Sequence, residues 1–565
     1  MKKIFILLIL LITVSIYTNN SSIPNINFSK IEYVSYSMNK SFTIDSIGVE
    51  SSVQPNSMTV QIQVDYEFVG NLSLSRPTRI EKTLISSSET NKIKTEHRAE
   101  TKKYHKGNNN QVLSIIDKTC YQDIYVSSYA PFIDITYDLE YFMKHQEYIL
   151  ELFTKNNSIT NVTVIESYVD YENYIYYAVN DTGLGDVYYN RTKTGLGVVI
   201  GLLESGVVDT SHPNLQNSCI EVRSHILNVT RSKEHATEMA QMICGDYGMA
   251  PDALVLSAAV YGSTLTDEVE WMLDNNVDII NMSFGNANSL GTYDSMSAYV
   301  DYIMAENYVL VVASAGNNGL GDGYIDNPGL SYNAITTGAV NYDNSLAQYS
   351  SYEVISGPIK PTIGMYGTVD LHDADDTRVQ GTSSSAALTT GMLSLVLQQY
   401  STFVVNREQL YALMCANAID PMDGYSYNAE ENGFSKPLGA GVFNYANMIS
   451  NYSNSGMTYS SGTVALNSPV YTKSIYLTLG QTLRFSIATI ASSNGNVSGI
   501  SFTDYDIFIY APNGSIVKWA NSSNSIIELA IYKAASSGTY RVEILQASER
   551  VKTRDYIGYA YRIYS

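Results

Sequence analysis

Cysteine is scarce in this chain, four residues in 565, and none precedes Cys120. That count does not make a disulfide scaffold, and it excludes a lipid-modified cysteine next to the N-terminal segment. Charge is scarce as well. Asp, Glu, Lys and Arg together make 16% of the residues, against roughly 25% in an average globular protein. Basic residues are the rarer sign, 34 against 55 acidic, for a net charge of −21. A surface that acidic repels phosphate backbones and disfavours nucleic acid as a partner. Beyond the N-terminus no run approaches the eighteen or so apolar residues that a membrane span requires. No His-Glu-x-x-His zinc site is present.

Apolar residues make 45% of the chain and Tyr alone 47 positions, enough for a large core and incompatible with global disorder. The length suits about three or four domains. Met1-Lys2-Lys3 followed by an apolar run over 4–16 reads as a secretory signal peptide, placed at 1–18. The expected location is therefore secreted, extracellular or at the cell surface. Because 15–20 lacks a clean small-x-small cleavage pattern, an uncleaved signal anchor stays open. Cys219 and Cys244 are near enough in sequence to pair around a small loop. Free buried thiols fit the four cysteines equally well.

Patterning divides the rest. Residues 58–69 alternate as a strand, 88–116 are charged and helix-prone until Gly107-Asn108-Asn109-Asn110 interrupts them, and 121–137 read as two strands turned at Ala130-Pro131. Apolar residues fall at helical spacing over 139–154, and 162–168 is a last strand. The order β-α-β-β-α-β predicts a small ferredoxin-like α+β unit over 40–170. Between Arg76 and Lys118 this unit carries ten Lys/Arg against five Asp/Glu. Such a face can dock on an acidic partner domain, or it can simply be solvated. Over 180–452 short apolar runs at 198–203, 253–260, 278–283 and 309–313 alternate with helical patterns, which predicts an α/β domain with a mostly parallel sheet flanked by helices. From 455 to 565 short strands separated by Asn494-Gly495, Asn513-Gly514 and Ser537-Gly538 predict a β-sandwich.

Chemistry in a parallel α/β sheet lies beyond the carboxyl ends of its strands. The strand at 198–203 runs into Glu204-Ser205-Gly206. His235 opens a helix-like stretch, and Gly381-Thr382-Ser383 opens another. Singly, each is a weak signal, a cap or a structural histidine. A carboxylate, a histidine and a serine in one α/β domain are together the set for acyl transfer. Asn317, in Ser314-Ala315-Gly316-Asn317 after the strand at 309–313, is an amide able to donate to an oxyanion.

At these positions the chain resembles the subtilisin-like serine proteases, the subtilases. Glu204-Ser205-Gly206 with His212-Pro213 stands where that family has Asp-Ser/Thr-Gly and a following His-Pro. His235-Ala236-Thr237 stands for His-Gly-Thr, and Gly381-Thr382-Ser383-Ser384-Ser385-Ala386-Ala387 for Gly-Thr-Ser-Met-Ala-Ser-Pro. Gly248-Met249-Ala250-Pro251, the stretch 278–285, Ser314–Asn317 and Lys360-Pro361-Thr362-Ile363 match further family segments in order. The resemblance implies Glu204, His235 and Ser383 as catalytic residues and Asn317 in the oxyanion hole. It also implies Ser283, Gly285, Ser314 and Gly316 as substrate-binding residues. The N-terminal unit is similar to the family's inhibitory propeptide, so its own propeptide is an expected partner besides protein or peptide substrates. The last unit resembles the jelly-roll domains attached to secreted peptidases.

Three positions depart from the family: Glu204 for Asp, Ala236 for Gly and Ala387 for Pro. They leave two readings, an active endopeptidase with a Glu-His-Ser triad, or a pseudoprotease that keeps the cleft and binds without cutting. A sedolisin-type set is disfavoured by His235, and a lipase-type esterase by the triad order and the lack of Gly-x-Ser-x-Gly. No cofactor is required. No metal ligand is assigned; a structural calcium ion is compatible with the acidic loop at 370–376, where a solvated loop is the plainer reading. The sequons at Asn161, Asn190 and Asn228 matter only where the host glycosylates.

Overall fold

The computed structural model describes residues 36–38, 40–42, 57–64, 87–116, 119, 123–154, 159–165, 169–170, 182, 184, 188, 190–223, 233–260, 265–285, 290–319, 323–341, 343–371, 378–420 and 431–565. The N-terminal apolar run read as a signal peptide, Cys120, most of the acidic loop and most of the stretch between 166 and 181 lie outside them.

The N-terminal unit contains β1 (Ser57–Val64), α1 (Ser87–Asn109), β2 (Asp123–Val126), β3 (Phe132–Asp138), α2 (Leu139–Thr154), β4 (Ile159–Ile165) and a two-residue β5 (Val169–Asp170). Its sheet runs β2-β3-β1-β4, all pairs antiparallel. Val60, Ile62, Ile133 and Ile135 alternate onto one face and close a small core with Phe142, Ile149 and Phe153 of α2. Helix α1 continues through Gly107, where the sequence suggested an interruption. The reason lies in the asparagines that follow. Asn108 Nδ2 donates to the Tyr104 carbonyl at 3.0 Å, while Asn109 Nδ2 donates to the Ser127, Ala130 and Phe132 carbonyls. Buried side-chain bonds of this kind offset the weak helix propensity of Gly and Asn.

The central unit is built on β6 (Val199–Glu204), β7 (Cys219–Val222), α3 (Lys233–Cys244), β8 (Leu254–Ala259), α4 (Leu265–Asp274), β9 (Ile279–Met282), β10 (Phe284–Gly285), α5 (Ser295–Asn307), β11 (Leu310–Ser314), β12 (Ile335–Val340), β13 (Ile363–Tyr366), α6 (Thr382–Gln399) and α7 (Arg407–Asn417). Seven strands form one sheet in the order β13-β12-β11-β9-β6-β8-β7, and every pair is parallel. Strands buried on both faces need continuous apolar runs, and β9, β11 and β12 are buried throughout. Helix α6 is buried from Thr382 to Leu397, with small Ser, Ala and Thr side chains over its first two turns and Leu388, Met392, Leu393 and Leu395 filling the core further on.

The C-terminal unit is a sandwich of two antiparallel four-stranded sheets. One is β14-β23-β16-β21, from Ser455–Ser461, Arg554–Tyr564, Thr482–Ala488 and Ile527–Lys533; the other is β15-β22-β19-β20, from Ser468–Leu477, Gly538–Gln546, Tyr505–Tyr510 and Ile516–Ala520. The hairpin strands β17 (Ser492–Ser493) and β18 (Ile500–Ser501) lie in the connection between β16 and β19. Two arginines weld the sandwich to the central unit at the carboxyl end of α7. Arg484 donates to the Cys415 and Ala440 carbonyls and pairs with Asp420 at 2.6 Å, and Arg562 donates to the Ala418 carbonyl at 3.0 Å. Cations there meet the negative end of the helix dipole.

Part of the basic face of α1 is docked on the central unit, while Lys92, Lys103 and Lys106 stay exposed. Arg98 donates to the Leu273, Val277 and Asn307 carbonyls at the carboxyl ends of α4 and α5. Lys94 pairs with Asp278 at 2.6 Å and Lys102 with Asp274 at 2.5 Å. Opposite them, the fully enclosed Glu270 of α4 accepts from Tyr125 Oη, Ser127 Oγ and the amides of Ser128 and Tyr129. Burial pushes the Glu270 carboxyl up to about 7, against the pull of those donors. The ordinary value of a solvated glutamate is 4.5, and loss of the N-terminal unit, which supplies all four of those donors, opens the carboxyl towards water. Docking therefore takes up a proton, so its contribution is full below pH 4.5 and is lost as pH rises through about 7. Glu270→Gln lacks that titration. Hydrogen-exchange protection of the Ser128 and Tyr129 amides in wild type, relative to the variant, should fall between pH 5 and pH 8; an unchanged ratio would remove Glu270 from this role.

Candidate active site

Strand ends of the parallel sheet meet the start of α6 at one place. Glu204 is the last residue of β6 and fully buried. Its Oε2 lies 3.0 Å from Nδ1 of His235, in the first turn of α3. Its Oε1 accepts from Nδ2 of Asn281 on β9 at 3.3 Å. Both oxygens of the longer acid are thus held, one on the imidazole and one on a neighbouring strand. Asn281 Nδ2 also donates to Ser283 Oγ at 2.8 Å, and Thr390 Oγ1 donates to Asn281 Oδ1. Asn281 was not among the residues singled out from the sequence. The signal that could have found it is a lone amide in the apolar run Ile279-Ile280-Asn281-Met282, because a buried amide must be paired.

Ser383 is the second residue of α6 and fully buried. Its Oγ donates to the Ser283 carbonyl at 3.2 Å, and Ser283 Oγ returns a bond to the Ser383 carbonyl at 3.1 Å. In this state its hydroxyl is directed at Ser283 rather than at His235. The N-terminus of α6, the positive end of its dipole, lies at the same point.

Asn317 follows β11. Its Oδ1 accepts from the Thr382 amide at 2.9 Å and from Thr382 Oγ1 at 3.0 Å, which fixes the side chain and leaves its Nδ2 hydrogens for another acceptor. Gly316 before it has φ +107°, and a Cβ there would sit 2.5 Å from Asp326 Oδ2. Only glycine meets both conditions. Thr382 ties the two segments together, since its Oγ1 also accepts from the Gly316 amide at 3.0 Å. Ser314 is buried and its hydroxyl makes no hydrogen bond.

Gly285 lies on β10, and that strand is occupied. Phe284 and Gly285 pair antiparallel with Asp170 and Val169 of β5. The end of the N-terminal unit is thus laid along the strand next to Ser283 as an added strand. Ala236 and Ala387 are fully buried and packed into the core around the site.

Among the described residues, no group of three or more His, Cys, Asp or Glu side chains is placed to hold a metal ion. Cys219, Cys244 and Cys415 are free, so the pairing of Cys219 with Cys244 is not formed. No described helix is long and apolar enough to cross a membrane.

The Subtilase family model matches residues 195–441. That segment belongs to the subtilases. Among curated subtilases, subtilisin NAT of Bacillus subtilis subsp. natto is 27% identical over 232 residues, 38% of this chain and 59% of that protein. Alkaline elastase YaB of Bacillus sp. (strain YaB) is 26% identical over 223 residues, 37% of this chain and 57% of its own. The chain therefore spans somewhat over half the length of these two relatives. Fervidolysin from Fervidobacterium pennivorans, a keratinolytic enzyme related to subtilisin, aligns with 95% of this chain and 79% of its own at 14% identity and a TM-score of 0.46.

Proposed function

We propose that the protein is a secreted serine endopeptidase that cuts proteins or peptides through an acyl-enzyme, with Glu204, His235 and Ser383 as its triad. The observation that carries this reading is the 3.0 Å contact between Glu204 Oε2 and His235 Nδ1. A carboxylate on Nδ1 leaves Nε2 as the basic nitrogen and stabilises the imidazolium once it forms. Ser383 Oγ then turns from the Ser283 carbonyl to Nε2, attacks the scissile carbonyl and gives up its proton to His235. The tetrahedral oxyanion takes hydrogen bonds from Asn317 Nδ2 and from the Ser383 amide in the first turn of α6. His235 passes its proton to the leaving amine, and water resolves the ester by the same path in reverse. Substrate backbone takes the place of β5 on β10, with Ser314 and Gly316 on the opposite wall.

The N-terminal unit is read as the inhibitory propeptide, and the added strand at Val169-Asp170 supports that. Processing is expected between 166 and 181. Terminal sequencing of the mature chain tests this, and a start before residue 160 would contradict it. Asn317→Ala should leave the fold intact and lower kcat by roughly 10²–10³, the value of one oxyanion donor; steady-state kinetics on a peptide substrate, with circular dichroism as the fold control, measure it. The pseudoprotease reading is favoured by one observation, the Ser383 hydroxyl bonded to Ser283 instead of His235. A closed cleft with β5 in place accounts for that bond equally well.

A further inference from the structure

The connection between β16 and β19 does more than join two strands of the sandwich. Its residues are absent from the sandwich core and belong instead to the central core: Ile490 and Ala491 are buried there, with Val497, Ile500 and Phe502 packed against it. Polar bonds hold it in place. Asn333 exchanges a pair of bonds with Ala491, donating to its carbonyl at 3.1 Å and accepting from its amide at 2.9 Å, and Ser493 Oγ donates to the Ala298 carbonyl of α5 at 3.3 Å. The tip of the hairpin then reaches the N-terminal unit. Gln63 Nε2 of β1 donates to the Asn494 carbonyl at 3.0 Å. Gly495, at φ +82°, lets the backbone approach so closely that a Cβ would lie 3.1 Å from both Gln63 Nε2 and the Phe132 ring. Gln63 and Phe132 are partners across β1 and β3, and Phe132 packs edge-on against Tyr299 of α5 at 5.5 Å. One cluster thus contains residues of all three units: Tyr129, Ala130 and Phe132, the central core, and Ile490 and Ala491.

We propose that the β17–β18 hairpin is a second docking arm for the N-terminal unit, so that the C-terminal sandwich sets how long that unit stays on the cleft once the chain is cut. The inference rests on reading the N-terminal unit as an inhibitory propeptide, and it assigns the sandwich a part in the timing of activation. After processing, the unit is gripped from two sides, by the helix ends of the central unit through Arg98 and Lys94, and by the hairpin through Gln63 and Phe132.

The test uses the full chain with Ser383→Ala, so it needs no activity of its own. A recognition site for an exogenous site-specific protease is inserted within 171–180, the chain is cut, and release of the N-terminal piece on dilution is followed by a fluorescent label. Gln63→Ala removes the donor to Asn494, and Gly495→Ala places a methyl group against Gln63 and Phe132. Each should speed release roughly 3- to 10-fold, the worth of one net hydrogen bond or close contact. Gly514→Ala is the control. Gly514 has nearly the same backbone, φ +86°, with nothing within 4 Å of an added Cβ, and its variant should release at the wild-type rate. Wild-type rates for both Gln63→Ala and Gly495→Ala would overturn the proposal. So would equal acceleration by Gly495→Ala and Gly514→Ala, which would reduce the effect to turn strain in the sandwich.

Discussion

Ser383→Ala abolishes proteolysis and self-processing and leaves a full-length precursor: that is the expected result with the largest effect. The substitution removes the atom that forms the acyl bond and little else. Ser383 is fully buried at the start of α6, and its hydroxyl is bonded only to the Ser283 carbonyl, so the alanine variant gives up one neutral hydrogen bond, worth about 1 kcal/mol of stability. Folding should survive. Unfolded casein and an immunoblot for the N-terminal unit give the two readouts. Equal casein degradation by wild type and variant would place the activity elsewhere or nowhere.

Glu204→Gln is expected to cost nearly as much, roughly 10⁴-fold in turnover near neutral pH, the scale known when the acid of a serine-protease triad becomes an amide. The amide can donate to Nδ1 and so select the wrong tautomer. Glu204→Asp is the more instructive variant. In a backbone drawn up for Asp, the shorter acid would restore activity. Here Glu204 already spans from β6 to His235 Nδ1 at 3.0 Å and to Asn281 at 3.3 Å. Removing one C–C bond, roughly 1.5 Å, draws the carboxylate out of hydrogen-bond range of the imidazole. Glu204→Asp should therefore lower kcat, and the loss should be smaller than that of Glu204→Gln, because a negative charge near His235 persists. Wild-type rates for both variants would take Glu204 out of the triad.

Much of this was legible in the sequence because it rests on short-range rules. Four of the seven parallel strands announce themselves as apolar runs, each within a residue or two of its expected place, while Cys219–Val222, Ile335–Val340 and Ile363–Tyr366 were not marked; α2 spans the same residues, 139–154, that the helical spacing marks. The antiparallel sandwich was legible by its turns, although Ser455–Ser461 and Arg554–Tyr564 escaped. Their alternation carries Tyr, Ser and Thr in place of a clear apolar face. The continuation of α1 past Gly107 was not legible, since the bonds that sustain it come from residues 127, 130 and 132. Nor were Asn281 and Glu270. Their roles depend on what the fold places opposite them, a second strand in one case and a separate unit in the other. The basic face of α1 was visible as composition, while its targets, helix carbonyls as much as carboxylates, appear only in three dimensions.

The most direct measurement of the triad assignment is labelling of the processed protein with a fluorophosphonate, followed by mass mapping of the modified peptide. A competent Ser383, activated by His235 and Glu204, becomes phosphonylated at its Oγ, and the Glu204→Gln variant labels far more slowly. Absence of label on Ser383 in a chain from which the N-terminal unit has been removed would contradict a working nucleophile and leave a cleft that binds without cutting.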